Sequence, residues 1–281
     1  MHSAFRDRRP ASAAAGVVAL VACAALGAAA AAPAAPQAAR VLVLNMHAGK
    51  DAAGKPNLDA IAALIKSTRA DAALLQEVDR NTARSGGVDQ VAVLQKASGF
   101  DAAFAASLFH YDGGEYGIAI LSRYGIGFHA TVPLPVVPVQ TRAGGSTEPR
   151  VALLAFVQRL PATPTWRVLN AHLDPAEGAA RAQEIAHLVE AYQDAATAKA
   201  PVLVGGDFNS APDNAVLQPL RAAGLRDAWS ECGSGDGFTY PADTPAKRID
   251  YLFLGDGVHC ARAEVIDTQI SDHRPLLVTL K

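Results

Sequence analysis

Two spacings of apolar residues alternate along this chain: short unbroken runs, which suit buried strands, and longer stretches with one apolar face every three to four positions, which suit helices. Val41-Leu42-Val43-Leu44, between Arg40 and Asn45, is a run of the first kind. Leu58, Ile61, Ala62, Leu64 and Ile65 then share a helix face, with Asn57 placed to cap a helix that ends near Arg69. A strand over 72–75 leads into Gln76-Glu77, a helix over 88–97 stops at Gly99, and strands over 102–105 and 118–121 flank an Asp112-Gly113-Gly114 turn. Pro133, Pro135 and Pro138, followed by Gly144-Gly145-Ser146, predict a long irregular connection at the mouth of a site. Strands over 151–157 and 166–169 follow, the second running into Asn170-Ala171-His172-Leu173. The longest helical stretch spans 179–197, with Ile185, Leu188, Val189 and Tyr192 on one side. Beyond it come Val202-Leu203-Val204-Gly205-Gly206-Asp207-Phe208-Asn209-Ser210, a short helix over 215–222, a strand over 248–254 that contains Asp250, and a closing strand over 276–280 behind Ser271-Asp272-His273-Arg274-Pro275.

The stretch from Val202 to Ser210 organises the rest. In an extended chain side chains alternate, so Asp207 and Asn209 share one face while Phe208 turns to a core. The glycines before them let another segment or a ligand approach the backbone. Other predicted strands also end in polar groups, and together these positions gather Asn45, Glu77, His172, Asp207, Asn209, Asp250, Asp272 and His273. This is an oxygen-rich set with two imidazoles, suited to a hard cation such as Mg²⁺ or Mn²⁺ and to metal-assisted phosphoester hydrolysis. Taken one at a time, each residue also has an ordinary reading: an Asx turn for Asp207 and Asn209, a solvated acid for Glu77, a structural ring for either histidine.

Composition changes the picture at the N-terminus. Arg6, Arg8 and Arg9 precede an alanine-dominated apolar run over 11–32 and then Pro33 and Pro36, the layout of a secretory signal over 1–39, with the folded domain over 40–281. Leu20-Val21-Ala22-Cys23 also reads as a lipidation site, the run is long enough for an uncleaved anchor, and Arg8-Arg9 hints at twin-arginine export. Without residues 1–39 the chain keeps 22 basic and 26 acidic residues, a net charge of −4, which does not favour a nucleic-acid partner. Two cysteines remain, and export with an even count pairs Cys232 with Cys260, buried free thiols being the alternative. No repeat or linker divides the domain.

Six motifs occur in one order: Leu44-Asn45-Met46-His47, Leu75-Gln76-Glu77-Val78, Asn170-Ala171-His172-Leu173, Gly206-Asp207-Phe208-Asn209, Arg248-Ile249-Asp250-Tyr251 and Ser271-Asp272-His273-Arg274-Pro275. On these the chain resembles the endonuclease/exonuclease/phosphatase superfamily, the DNase I-like metal-dependent phosphohydrolases, from Arg40 to Leu280. The resemblance implies an α/β (α+β) fold, a four-layer sandwich of two packed mixed β-sheets flanked by helices. It implies Glu77 as the principal metal ligand, assisted by Asn45 and Asp272, and Asp207 as the group that orients and deprotonates water. Asn209 and His172 would hold phosphate oxygens, and His273 would transfer a proton or stabilise the phosphate, with Asp250 pairing either histidine. Tyr116 and Arg150 match positions lining the phosphate pocket, while Ile118 departs from the pattern, which usually has Asn there. The implied function is an exported Mg²⁺-dependent phosphoesterase for a small or lipid-linked substrate, in the style of proteins associated with lipid remodelling of glycosylphosphatidylinositol anchors. A secreted nuclease is the alternative, and an inactive envelope-binding protein a third reading.

Overall fold

The computed structural model describes residues 38–138, 148–158, 165–176, 178–196 and 200–281. The predicted leader and the Gly144-Gly145-Ser146 turn lie outside the described residues. Two six-stranded mixed sheets form the centre of the domain. The first contains β1 (Arg40–Asn45), β2 (Ala72–Arg80), β3 (Asp101–Tyr111), β4 (Gly114–Ser122), β11 (Cys260–Val265) and β12 (Leu276–Leu280), in the order β11-β12-β1-β2-β4-β3. The second contains β5 (Ile126–Leu134), β6 (Arg150–Val157), β7 (Trp166–His172), β8 (Val202–Asp207), β9 (Arg226–Asp227) and β10 (Asp250–Leu254), in the order β5-β6-β7-β8-β10-β9.

Alternation along the strands builds three apolar layers. Val41, Val43, Leu74 and Ile120 of the first sheet meet Leu153, Val168, Leu203 and Leu252 of the second. On the outer face of the first sheet, Leu42, Leu44, Ala73 and Leu75 pack on Ile61 and Ile65 of α1 (Leu58–Ser67) and Leu94 of α2 (Gln90–Ser98). Beyond the second sheet, Leu169, Val204, Phe208 and Phe253 pack on Ile185, Leu188 and Tyr192 of α3 (Gly178–Ala196) and on Leu220 of α4 (Gln218–Ala222). The result is the four-layer sandwich of two sheets flanked by helices that the motifs implied. A fifth short helix, α5 (Ala228–Cys232), ends in a disulfide to Cys260, with the two Cα atoms 6.0 Å apart. Among the described residues no helix is long and apolar enough to cross a membrane.

Three local expectations change. The irregular connection expected from Pro133 onward starts later, because residues 126–134, of which the first seven carried no assignment, form β5. It is an edge strand, so Pro133 removes no ladder hydrogen bond from a second neighbour, and its alternation is blurred by exposed Phe128 and His129. The strand β11 went unread for a similar reason: it lies at the other sheet's edge and carries Arg262 and Glu264. Asn57 makes no side-chain cap to α1; its amide instead donates to the Ile270 carbonyl at 2.8 Å, tying the helix start to the segment before Ser271.

Candidate active site

Strand register sets the site. In the second sheet β7 and β8 run parallel with His172 opposite Asp207, and β10 runs antiparallel to β8 with Asp250 opposite Asp207. Three chemically active side chains therefore come from three adjacent strand ends. In the first sheet β1 and β2 are parallel with Asn45 opposite Gln76, which puts Glu77 one residue beyond. The β2–β4 ladder shifts register between Leu75 and Val78, and Glu77 has φ 55° inside that bulge. Such an irregularity re-aims a side chain out of the alternating pattern.

Gly206 explains the two-glycine stretch. Its φ is 137°, and a Cβ there would lie 1.9 Å from the Ala171 carbonyl oxygen, so β7 could not pair closely with β8 if any side chain were present. Phe208 is fully buried, as alternation predicts, but Asn209 has φ 47°. The extended chain thus stops at Asp207, and a left-handed residue, not alternation, returns Asn209 to the site.

The cleft has a volume of about 440 Å³ and is lined by nine of the ten residues singled out in the sequence: Asn45, Glu77, Tyr116, Arg150, His172, Asp207, Asn209, Asp272 and His273. The tenth, Asp250, lies behind His273, whose Nδ1 donates to Asp250 Oδ2 at 2.8 Å. The histidine that Asp250 serves is therefore His273. Asp207 Oδ2 is central: Asn45 Nδ2 donates to it at 3.1 Å, and Nε2 of both His172 and His273 lies 3.7 Å away. Its other oxygen accepts the Asn209 backbone N–H at 2.9 Å. The Asn209 amide donates to the Leu173 carbonyl at 2.9 Å. Tyr116 is buried under the Arg84 guanidinium, 5.1 Å from its ring.

Burial and the nearby Asp250 carboxylate push Asp207 up to about 7, although His273 and hydrogen bonds from Asn45 and Asn209 oppose the shift. For His273, burial alone would favour the neutral ring; the carboxylates of Asp250, Asp207 and Asp272 outweigh it and hold the ring at about 10. His172 goes the other way. Burial, Arg150 and His273 all push it well below the ordinary histidine value.

The donor set fits a divalent cation. Asp207, Asp250 and His273 offer ligand atoms all within 4.8 Å of one another, and Asp250 Oδ1 is buried without a hydrogen-bond partner. Glu77 and Asp272 add carboxylates on the cleft wall. Asn45 turns its NH₂ to Glu77 Oε1 and Asp207 Oδ2, both at 3.1 Å, while its oxygen accepts the His47 backbone N–H. It orients two carboxylates in this arrangement, and would have to turn its amide to offer oxygen to an ion.

Sequence reasoning missed Glu148, Pro175, Tyr240, Lys247 and Ile249 in the lining. Glu148 binds Arg150 Nη2 at 2.7 Å, and its place two residues before a singled-out arginine was the available signal. Tyr240 packs on the His273 ring with centroids 4.7 Å apart, and Lys247 stands 6.0 Å from the Tyr240 ring. No local pattern marks these two. They belong to the segment enclosed by the Cys232–Cys260 disulfide, which is bound to the His273 motif through Ala242 N–H to Asp272 O and Arg274 N–H to Thr239 O, both 2.7 Å. Ile118, the departure from the family pattern, is buried in the core between the sheets and brings no polar group to the cleft.

Residues 42–273 match the model of the endonuclease/exonuclease/phosphatase family, and the chain belongs to that family, whose members are phosphoric ester hydrolases that typically depend on a divalent metal. Solved structures with the same fold include a family protein from Bacteroides thetaiotaomicron, 18% identical, covering 88% of this chain and 98% of its own, with a TM-score of 0.73. A mannosyl-6-phosphatase from Bacteroides thetaiotaomicron VPI-5482 is 19% identical over 86% of this chain and 99% of its own, also at 0.73. The human Nocturnin catalytic domain with bound sulfate is 19% identical over 87% and 94%, at 0.69. No curated protein sequence matches the chain.

Proposed function

We propose that the chain is an exported, Mg²⁺-dependent phosphoesterase that hydrolyses a small or lipid-linked phosphomonoester or phosphodiester by attack of water. The observation that carries this reading is the convergence of six separated motifs on one cleft, with Asp207 flanked by two histidines of opposite character. A divalent cation held by Glu77, with Asp272 and Asn45, would polarise the phosphoryl group and neutralise its charge. The acid pair Asp207 and Asp250 is the less apt cradle, because Asp250 already binds the His273 ring and does not line the cleft.

Asp207 sits where it can orient the attacking water and accept its proton. A carboxylate held near neutrality is well matched to that work. His273, charged and fixed by Asp250, stabilises phosphate oxygens or supplies a proton to the leaving group. His172 and Asn209 offer N–H groups to the nonbridging oxygens.

The charge on the walls supports a small substrate. Lys247 and Arg150 are the only lysine and arginine among the described lining residues, and Arg150 is tied to Glu148, against four acids: Glu77, Glu148, Asp207 and Asp272. A duplex groove reader draws on a basic strip along the backbone, which this lining does not offer. The mannosyl-6-phosphatase among the structural neighbours accords with a small phosphate ester. Export rests on the composition of residues 1–39 alone.

The test is a panel of sugar phosphates, simple phosphodiesters, sphingomyelin, phosphatidylinositol and nucleic acids, each assayed with Mg²⁺ and with EDTA. Hydrolysis of a small or lipid phosphate that EDTA abolishes and Mg²⁺ restores is expected. Efficient cleavage of duplex DNA alone would assign the chain to the nucleases, and EDTA-resistant turnover would remove the metal.

A further inference from the structure

The resemblance places Arg150 in the phosphate pocket, and it does line the cleft, but its guanidinium is already engaged by neighbouring side chains. Arg150 is the first residue of β6 and is buried. Its Nη2 lies 2.7 Å from Glu148 Oε1, and its Nη1 lies 3.2 Å from His172 Nδ1. Tyr116, Glu148, Glu184 and Asp174 also favour its charged form electrostatically. A phosphate that recruited this side chain would compete with Glu148 and draw the guanidinium from His172.

We propose that Arg150, held by Glu148, is a positioning residue that acts through His172, fixing the ring as the Nε2–H tautomer with that N–H presented to Asp207 and the cleft. The proposal rests on the phosphoester reading for its chemistry, but its geometric argument is separate. A guanidinium has five N–H donors, no acceptor, and does not lose its proton in proteins. At the Arg150–His172 contact the arginine must therefore donate, so Nδ1 must carry a lone pair. The ring's remaining nitrogen, Nε2, then carries the hydrogen of the neutral ring, and it is Nε2 that lies 3.7 Å from Asp207 Oδ2. Burial and the arginine's charge both resist a second proton on the ring. A donor of fixed direction results, aimed where charge develops on a phosphate, without rearrangement during the reaction.

The tautomer can be read directly. Long-range ¹H–¹⁵N spectra of the full chain labelled at histidine, with His172→Gln used to assign its signals, are expected to show a neutral His172 ring protonated at Nε2 at neutral pH. Arg150→Met releases Nδ1, and a second tautomer or the doubly protonated ring becomes populated. In the same variant kcat falls by about 10- to 100-fold, the scale of losing one preorganised donor, while KM stays within about twofold. A wild-type ring protonated at Nδ1 or at both nitrogens overturns the proposal. So does an Arg150→Met protein in which KM rises with kcat retained, which would assign the arginine to substrate charge. If Arg150→Met does not fold, the wild-type spectrum alone decides. If the wild type hydrolyses no phosphate ester, the functional reading fails while the ring measurement still decides the tautomer.

Discussion

His172 and His273 have the same geometric relation to Asp207, each with Nε2 at 3.7 Å from one carboxylate oxygen, yet their Nδ1 atoms meet opposite partners. His273 donates to the carboxylate of Asp250, whereas His172 accepts from the guanidinium of Arg150. Burial penalises the charged ring in both cases. Three carboxylates overcome that penalty for His273, while for His172 the neighbouring cation adds to it. Residue type and distance from the reacting centre thus leave the role of a histidine open, and the partner of its far nitrogen decides it. One side of Asp207 offers a charged ring that can give up a proton, and the other a neutral donor.

The largest effects should come from breaking the charged side. His273→Ala or Asp207→Asn is expected to lower turnover by about 10² to 10⁴, the usual worth of positioned proton transfer, with the fold retained by circular dichroism. Asp250→Asn keeps a partner for Nδ1 but removes its charge, and should fall at the lower end of that range. Near-normal hydrolysis by any of these purified variants would remove that residue from the mechanism.

The two sides also differ in how they are anchored. Tyr240, Lys247 and Asp250 belong to the segment between Cys232 and Cys260, a sequence separation of 28 closed by the disulfide. In the chain-entropy model a loop of that size contributes about 3 to 4 kcal/mol. Cys232→Ser with Cys260→Ser is expected to lose stability of that order in equilibrium denaturation, and unchanged denaturation midpoints would show that the cross-link contributes nothing.

Behind the His172 side lies a group that titrates with folding. Glu184 accepts the Asp174 backbone N–H at 2.9 Å, and burial raises it from 4.5 to about 7. The folded protein holds this proton more tightly than the unfolded chain, so the stability it confers is fully present below about pH 4.5 and is lost as pH rises through about 7. The loss should be on the order of 3 kcal/mol. Glu184→Gln, which cannot ionise, is expected to flatten stability across that window; an unchanged slope in denaturant midpoints against pH would assign it to other groups.

The smallest effect expected is that of salt. A substrate with one or two charges, held locally between the two histidines, should be hydrolysed with less than about a fivefold change between roughly 50 and 200 mM salt at fixed Mg²⁺. A fall of about 10³ in binding over that range would mean several backbone phosphates and would favour the nuclease.

Much of the site was legible because its residues occupy strand ends, where an apolar run gives way to a polar group. Asn45, His172 and Asp207 each close such a run. Glu77 was found by the same rule, although the bulge that aims it was not visible. Edge strands were harder. Residues 126–134 and 260–265 have only one hydrogen-bonded neighbour each and carry exposed polar or aromatic residues, so their alternation is weak.

The sequence by itself determined the buried face of most elements and the order in which the chemical groups appear, because local spacing reports which side of a strand or helix is apolar, while the four-layer arrangement followed from the resemblance of its motifs to a family. Only the tertiary structure decided which groups meet. Asp250 serves His273 because β10 runs antiparallel beside β8 and the His273 segment folds over its start, while Arg150 reaches His172 across the neighbouring β6 and β7 ends. Tyr240 and Lys247 enter the cleft on an irregular segment tied down by hydrogen bonds to Asp272 and Arg274. Such pairings depend on sheet register and on contacts between distant segments, and the periodicity of one segment carries no information about the side chain opposite it.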